Sequence, residues 1–210
     1  MEKTKIVLDT SLFVNPEIRK DFGSTPTEAL EAFLFLAAQL PVFEFYMPPS
    51  IFKELMHFVQ KDRLAGDLLY FLKQKPPSRY QMTVPATFLY ELVEEMRDRI
   101  NKGLRVAEAA VRSVEQKGEP ETIKDLRRKY REALREGIID SRQDVDLILL
   151  AKELDATLVT ADQGVIDWAE KLGIKWLYPD MFREFLMSAI KRASETKEAF
   201  DDRTTSHNPA

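Results

Sequence analysis

The chain has 210 residues, of which 44% are hydrophobic and 31% charged, and its formal net charge is -4. That length and composition predict one folded domain with room for an insertion, and they exclude a disordered or collagen-like chain. With no cysteine and only two histidines, disulfides, thiolate nucleophiles and Cys-ligated metal sites are excluded, so any catalysis should depend on carboxylates.

Two features of the sequence bear on location and partners. The first residues, MEKTKIVLDTS, contain only a short apolar run, unlike a signal peptide, and no segment approaches the roughly 20 apolar residues that cross a bilayer. We therefore expect a cytoplasmic protein without membrane contact. The acidic net charge is untypical of a generally basic nucleic-acid-binding protein, although it is compatible with a local basic patch.

Short apolar runs and helical patterns alternate along the chain. The predicted strands are residues 6–8, 43–47, 156–162 and 174–178. The predicted helices are residues 26–40, 50–60, 62–74, 85–117, 120–136, 141–154, 163–172 and 179–199. This alternation predicts an α/β fold with a mostly parallel sheet covered by helices on both faces, and ligands bind such sheets beyond the carboxyl ends of the strands.

One stretch, residues 97–136, interrupts the alternation because it contains no strand candidate. It predicts a helical hairpin that turns near Gly118, and it carries 12 Lys or Arg against eight Asp or Glu. The stretch is therefore locally +4, and the rest of the chain is -8. An inserted basic arm of this kind can attract RNA or serve contacts between copies of the chain. The polar residues 201–210 predict a flexible tail.

Two aspartates end apolar strands. Asp9 follows the run Ile-Val-Leu, and Asp162 follows the run Leu-Val-Thr-Ala. A carboxylate at such a position is costly unless it is solvated, paired or bound to a metal. Each also has a structural explanation, because Asp9 could cap the next helix or turn and Asp162 could cap the helix that follows it. Glu54 is a weaker candidate, since an exposed first-turn glutamate explains it equally well.

Three further aspartates, Asp140, Asp144 and Asp146, precede an apolar helix. At about 100° per residue, Asp140 and Asp144 project on one face of a helix, whereas Asp146 is turned about 160° from Asp144. Asp140 and Asp144 can therefore share an ion, and Asp146 can join them only if the first turn is irregular. A purely structural alternative is a capping box of Asp140 with Gln143 and an ion pair between Arg142 and Asp146.

Taken together, these carboxylates predict a metal centre at the carboxyl edge of the sheet. Oxygen ligands with no histidine or cysteine nearby favour Mg²⁺ or Mn²⁺ over zinc or copper. Such ions stabilise the attacking and leaving oxygens in phosphodiester hydrolysis, and a cation relieves the repulsion among packed carboxylates. The candidate metal ligands are Asp9, Asp144, Asp162, Asp146 and Glu54.

The order and spacing of four phrases resemble a PIN domain, a metal-dependent ribonuclease fold with a central parallel sheet. The phrases are Leu8-Asp9-Thr10-Ser11, Glu54 on an early helix, Asp144 followed by Leu147-Ile148-Leu149-Leu150-Ala151, and Leu158-Val159-Thr160-Ala161-Asp162. More narrowly, four longer stretches resemble HARP, the minimal protein-only ribonuclease P of some bacteria and many archaea. These stretches are residues 7–17, 45–48, 97–105 and 129–137, so the resemblance includes the basic insertion.

The HARP resemblance implies a metal-dependent endoribonuclease that removes the 5′ leader from precursor tRNA. It implies a PIN-like core of residues 1–96 and 137–200, an arm of residues 97–136 that holds the tRNA, and homo-oligomers built from dimers, with no nucleotide cofactor. The catalytic residues that it implies are Asp9, Asp140, Asp144 and Asp162. In the arm, the candidate RNA contacts are Lys102, Arg105, Arg127, Arg128, Lys129 and Arg131.

Three other functions fit parts of the pattern. A PIN endoribonuclease acting on another RNA, as a toxin or maturation factor, would have the same site, and a preference for unrelated RNAs over precursor tRNA would favour it. A non-catalytic RNA-processing partner protein would carry a vestigial site, whereas Asp9, Asp144 and Asp162 are intact. A haloacid-dehalogenase-type phosphatase is excluded because its second aspartate, two residues after the first, is Ser11 here.

Overall fold

The computed structural model describes residues 3–135, 139 and 141–205. The strands are β1 (Thr4–Leu8), β2 (Phe43–Met47), β3 (Leu72–Gln74), β4 (Thr157–Val159) and β5 (Trp176–Leu177). The α-helices are α1 (Ser11–Val14), α2 (Pro16–Arg19), α3 (Pro26–Ala38), α4 (Pro49–Leu55), α5 (Thr87–Lys117), α6 (Glu119–Arg135), α7 (Arg142–Leu154), α8 (Gln163–Lys171) and α9 (Phe182–Thr205). The strands form a parallel sheet in the order β3-β2-β1-β4-β5, so the predicted α/β class, a parallel sheet flanked by helices, is confirmed.

The central strand, β1, is buried on both faces. Ile6, Val7 and Leu8 are at most 2% exposed, as expected for a parallel strand covered by helices on each side. β1 pairs with β2 on one side and with β4 on the other, where Leu8 lies opposite Val159. Because the two strands are parallel, the polar residues that follow Leu8 and Val159 meet at the same edge of the sheet.

The helix predicted over residues 62–74 is wrong. Lys61–Arg63 and Leu68–Phe71 form short 3₁₀ helices, and the chain then enters β3 at the edge of the sheet. Leu72 is buried and pairs with Phe45 of β2. A short apolar run fits a buried helix or a strand equally well, and here the open edge of β2 decides between them through a contact that the local sequence does not encode.

The helical hairpin predicted in the insertion is present as α5 and α6. Gly118 ends α5 with a φ of 77° and a ψ of 159°, a conformation that almost only glycine adopts. Gly103 lets the two helices approach closely, because a Cβ at this position would lie 2.7 Å from the ring of Tyr130. Near the start of α5, Phe88 packs against the hydrophobic core. One continuous helix therefore connects the core to the arm.

The last helix, α9, covers the core and continues into the predicted tail. Phe182 is fully buried and stacks on Phe33 with 6.3 Å between the ring centroids. Residues 201–205, the first half of the predicted flexible tail, are helical, and residues 206–210 lie outside the described part of the chain. Within the described ranges, no helix combines the length and apolar character that crossing a bilayer requires.

Candidate active site

A cleft of about 530 Å³ lies beyond the carboxyl ends of β1 and β4. Four of the predicted metal ligands line it: Asp9, Glu54, Asp144 and Asp162. The other lining residues are Thr10, Ser11, Asn15, Ile51, Ser141, Gln143 and Ala161. Asp140, the remaining predicted catalytic residue, lies outside the described residues. The fold therefore brings carboxylates from distant parts of the chain to one edge of the sheet.

Hydroxyl groups hold the Asp9 carboxylate. Ser11 Oγ donates to its Oδ2 at 2.6 Å, and Thr160 Oγ1 donates to the same oxygen at 2.8 Å. Each hydroxyl also accepts a backbone N–H at 3.1 Å, Ser11 from Ala161 and Thr160 from Asp162. The two hydroxyls thus fix Asp9 and join the ends of β1 and β4. In the described contacts Asp9 caps no helix, since Thr10 is the N-cap residue of α1.

The other oxygen of Asp9 is the one available to a ligand. Among the described residues, Oδ1 accepts only a long hydrogen bond from Thr10 Oγ1, at 3.3 Å. Because both short hydrogen bonds go to Oδ2, the acceptor capacity of Oδ1 remains for the cleft. Ser11 is not among the functional residues predicted from the sequence. Its position two residues after Asp9, at the end of the same strand, is the signal that could have identified it.

Asp144 and Asp162 each take part in a helix cap as well as lining the cleft. α7 begins with a capping box in which Ser141 and Asp144 exchange side-chain and backbone hydrogen bonds of 3.1 Å. The alternative capping box of Asp140 and Gln143 includes a residue outside the described part of the chain, and the box that the structure describes lies one position later. Asp162 is the N-cap residue of α8 and accepts a first-turn N–H at 3.0 Å. A carboxylate has about four acceptor sites, so a cap leaves capacity for another ligand.

Glu54, on α4, lines the cleft near Asp9. Burial, and then the negative charge of Asp9, raise the pKa of Glu54 above its ordinary value, and the charge of His57 lowers it slightly. Both causes act in the expected direction, because burial and a neighbouring negative charge each disfavour the ionised form of a carboxyl group. A cation between Glu54 and Asp9 would relieve the repulsion between their charges.

We expect Glu54→Gln to stabilise the protein at pH 7 in the presence of a chelator. When folding raises the pKa of a carboxyl group, the protonated form stabilises the folded protein at a pH below the unfolded-state pKa, and this stability is lost as the pH rises through the folded-state pKa. Glutamine does not ionise, so the variant does not lose stability in this way. Because solvent screens the repulsion at an exposed residue, its thermal midpoint should rise by only about 1–3 °C at pH 7, and the difference should disappear near pH 4. Equal midpoints of the variant and the wild type at both pH values would contradict the raised pKa of Glu54.

Asp146 is not among the residues that line the cleft. Its carboxylate is buried, binds the Arg79 guanidinium at 2.6 to 3.0 Å, and accepts a hydrogen bond from Ser50 Oγ at 2.9 Å. The alternative drawn from the sequence pairs Asp146 with Arg142, whereas among the described contacts its ion-pair partner is Arg79. Since Ser50 belongs to α4 and Arg79 follows β3, Asp146 ties both to α7. A metal-ligand role for Asp146 stays a prediction.

Asp146→Ala should reduce the stability of the protein more than it reduces the rate of cleavage. The change removes a charged partner of Arg79 and a hydrogen bond to Ser50, a cost of roughly 1–3 kcal/mol. We expect the thermal midpoint to fall by several degrees, with cleavage retained where the variant is folded, and a milder loss of cleavage than for Asp144→Ala. Thermal unfolding and single-turnover cleavage check this. A variant with wild-type stability and no activity would place Asp146 in the chemistry instead.

The predicted RNA contacts differ in their surroundings on the arm. Arg127 and Arg131 flank Tyr130 in a groove of about 530 Å³. Arg128 instead pairs with Glu132 at 3.1 Å, and a second carboxylate, that of Asp125, lies 3.7 Å from its guanidinium. The groove therefore presents cationic and aromatic surface, whereas neighbouring carboxylates largely balance the charge of Arg128.

The other three predicted contacts lie on both helices of the arm. On α5, Lys102 is half-buried and Arg105 is exposed. On α6, Lys129 is exposed beside a small cavity between the two helices. The structure thus leaves basic side chains accessible along the arm.

The donor atoms of the cleft fit a hard divalent cation. Its side-chain donors are carboxylate, hydroxyl and amide groups, with no histidine among the lining residues. In the part of the chain that the structure describes, no three Asp, Glu or His side chains are arranged to hold an ion by themselves. Mg²⁺ is commonly held by one or two carboxylates, with waters and substrate phosphates completing its coordination, and the cleft accommodates that mode.

Comparisons with known proteins agree with this architecture. The model of a family described as PINc domain ribonuclease matches residues 5–191. The chain is 58% identical to the RNA-free ribonuclease P of Thermodesulfovibrio yellowstonii, over 90% of this chain and 96% of that protein. It is 50% identical to the RNA-free ribonuclease P of Pyrococcus horikoshii, over 92% and 98% of the two chains. The protein of that name from Halorhodospira halophila is 44% identical, over 85% and 87%.

Proposed function

We infer that this chain, which belongs to the PINc domain ribonucleases and, among them, to RNA-free ribonuclease P, is an endoribonuclease that removes the 5′ leader from precursor tRNA. The observation that carries this function is the cleft, where Asp9, Glu54, Asp144 and Asp162 meet at the carboxyl edge of the sheet. Oxygen donors of this kind suit metal-dependent phosphodiester hydrolysis. Asp140, which lies outside the described residues, is a further proposed catalytic residue.

We propose Mg²⁺, with Mn²⁺ as an alternative, as the cation of the cleft. When bound, it supplies activation of a water nucleophile and stabilisation of charge on the departing 3′ oxygen. Asp9, oriented by Ser11 and Thr160, offers Oδ1 to the cation, and the two helix caps hold Asp144 and Asp162 close to fixed positions. Carboxylates that are already oriented lose little freedom when they bind, so the site is prepared for catalysis. The products are a 5′ phosphate on the tRNA and a 3′ hydroxyl on the leader.

The arm supplies the attraction that the cleft cannot. Catalytic carboxylates repel RNA, and the chain as a whole is acidic, so binding requires basic groups elsewhere. Phosphate contacts position RNA without reading its sequence, which suits an enzyme that accepts many tRNAs by their shape. A cytoplasmic location is part of this proposal, because precursor tRNA is made there in bacteria and archaea.

Cleavage of a precursor tRNA, compared with an unrelated structured RNA of equal length, tests this function. In Mg²⁺ we expect release of the leader from precursor tRNA and no cut in the other RNA, and a chelator should stop the reaction. Equal cleavage of both RNAs would indicate a ribonuclease with another substrate. Tight binding of precursor tRNA without cleavage in any divalent metal would indicate a non-catalytic partner protein.

We also propose that a second copy of the chain covers an apolar stripe on α5. Six side chains along this helix are each more than half exposed, and they recur mostly every three or four residues, as in a helix–helix seam. They are Leu89, Val93, Met96, Ile100, Leu104 and Val111. A seam of this kind fits another helix with the same pattern, and an identical chain presents one, which gives a dimer as the unit of assembly.

A charge in the stripe should therefore reduce the mass of the assembly. Ile100→Glu places a carboxylate at a position that is 66% exposed in the isolated chain, so the fold should tolerate it while the seam does not. Light scattering should give a smaller particle than for the wild type. Arg112→Glu, on the same helix at an arginine whose side chain is 82% exposed, is the matched control and should leave the mass unchanged. A wild-type protein that is monomeric, or equal masses for Ile100→Glu and wild type, would contradict the proposal.

A further inference from the structure

One helix, α5, contacts structure on both sides of the cleft. Near its start, Phe88 packs on Trp168 of α8 with 4.8 Å between the ring centroids. One turn later, Glu91 pairs with Lys171 at the end of α8, at 2.8 Å. These contacts fix the base of α5 against α8, the helix that begins at Asp162.

Arg99, about two turns further along α5, reaches the segment that leads into α7. Its Nη2 donates a hydrogen bond to the backbone carbonyl of Ile139. Ile139 packs against the hydrophobic core and lies two residues before Ser141, which caps α7 in the box with Asp144. Arg99 therefore holds the backbone close to the point where the chain enters the helix that carries Asp144.

The surroundings of Arg99 indicate that its side chain is held in place. A side chain that contacts RNA would instead be exposed to solvent in the free protein. Arg99 is half-buried, and among the described residues its buried Nε has no hydrogen-bond partner. Arg97, two residues earlier, has a side chain that is 66% exposed and pairs with Glu94 on the surface of the same helix. A half-buried guanidinium is costly unless it makes a defined contact, and the Ile139 carbonyl is that contact.

We propose that Arg99 is a positioning residue for cleavage. By holding the Ile139 carbonyl, it sets the start of α7 relative to α5, and because α5 is anchored on α8, it also sets the position of Asp144 relative to Asp162. This inference rests on the proposed ribonuclease function. Loss of a residue that supports a metal ligand typically costs about 10–100-fold in metal affinity or activity.

Single-turnover cleavage and tRNA binding by Arg99→Gln, beside the matched variant Arg97→Gln, test this role. Both variants lose one positive charge from the same helix, but only the first loses the contact to Ile139. We expect Arg99→Gln to cleave about 10–100-fold more slowly and to need more Mg²⁺ for its half-maximal rate, with unchanged affinity for precursor tRNA. Arg97→Gln should match the wild type in all three measurements.

Cleavage by Arg99→Gln at the wild-type rate overturns the inference. Loss of affinity in both variants with no change in single-turnover rate also overturns it, because Arg99 would then act as an RNA-attracting charge. If Arg99→Gln does not fold, Arg99→Met, which keeps a long side chain without a donor, decides: a folded, slower variant with wild-type affinity supports the role, and a wild-type rate overturns it. A wild-type protein that cleaves no precursor tRNA contradicts the proposed function instead, so the two failures are distinguishable.

Discussion

Asp144→Asn should reduce the cleavage of precursor tRNA by about 10³-fold or more while leaving the protein folded. Asparagine keeps a side-chain oxygen that can accept the Ser141 N–H, so the helix cap survives. It lacks the negative charge that a divalent cation requires, and it also relieves carboxylate repulsion in the cleft. Asp9→Asn and Asp162→Asn should give the same result. Single-turnover rates and thermal midpoints, measured on the same samples, separate loss of chemistry from loss of fold.

Asp167→Asn is the matched control for these variants. Asp167 lies on α8, the helix that Asp162 caps. Its carboxylate accepts a hydrogen bond from Gln163 at 2.7 Å, and it does not line the cleft. The same change of charge should therefore leave cleavage at the wild-type rate. If Asp144→Asn also cleaved at that rate, the assignment of the active site would be wrong.

Replacing both Arg127 and Arg131 by glutamine should weaken the binding of precursor tRNA by about 10–100-fold at low salt. The two guanidinium groups flank Tyr130 in the groove of the arm and can each contact a phosphate. Losing both should reduce the slope of log affinity against log salt by about two, and the effect should be similar for different tRNAs because phosphate contacts do not read sequence. Filter binding or fluorescence titration across a range of salt concentrations measures both quantities.

Arg128→Gln provides the comparison on the same helix. Its guanidinium already pairs with Glu132 at 3.1 Å and lies near Asp125, so its removal should weaken binding much less than the double change. Cleavage at saturating enzyme should persist in all these variants because these arginines do not line the cleft. If the double variant bound with wild-type affinity and salt slope while remaining assembled, the arm would serve contacts between copies and would not hold the RNA.

The sequence predicts the sheet and the edge at which the site lies because both follow from local patterns. Apolar runs that end in Asp9 and Asp162 define parallel strands whose carboxyl ends meet, and the long helical pattern after residue 85 defines α5. The strand β3 could not be predicted, because the same apolar run fits a helix, and only pairing with the edge of β2 selects the strand.

The details of the site depend on contacts between distant residues. Asp146 binds Arg79, which lies 67 residues away in sequence, and Thr160 binds Asp9 from 151 residues away. No local pattern encodes either pair. The start of α7 agrees with the predicted helix to within one residue, and its capping box joins Ser141 and Asp144, one position later than the alternative pair of Asp140 and Gln143.

Mapping both ends of the cleavage products at nucleotide resolution tests whether this protein removes the 5′ leader by metal-dependent hydrolysis. The wild-type protein, incubated with precursor tRNA and Mg²⁺, should produce one cut at the first nucleotide of the mature tRNA, with a 5′ phosphate on the tRNA and a 3′ hydroxyl on the leader. The same incubation with Asp9→Asn should leave the precursor intact. A 2′,3′-cyclic phosphate on the leader, or cleavage by the wild type that persists in excess chelator, would contradict a metal-dependent ribonuclease P at this cleft.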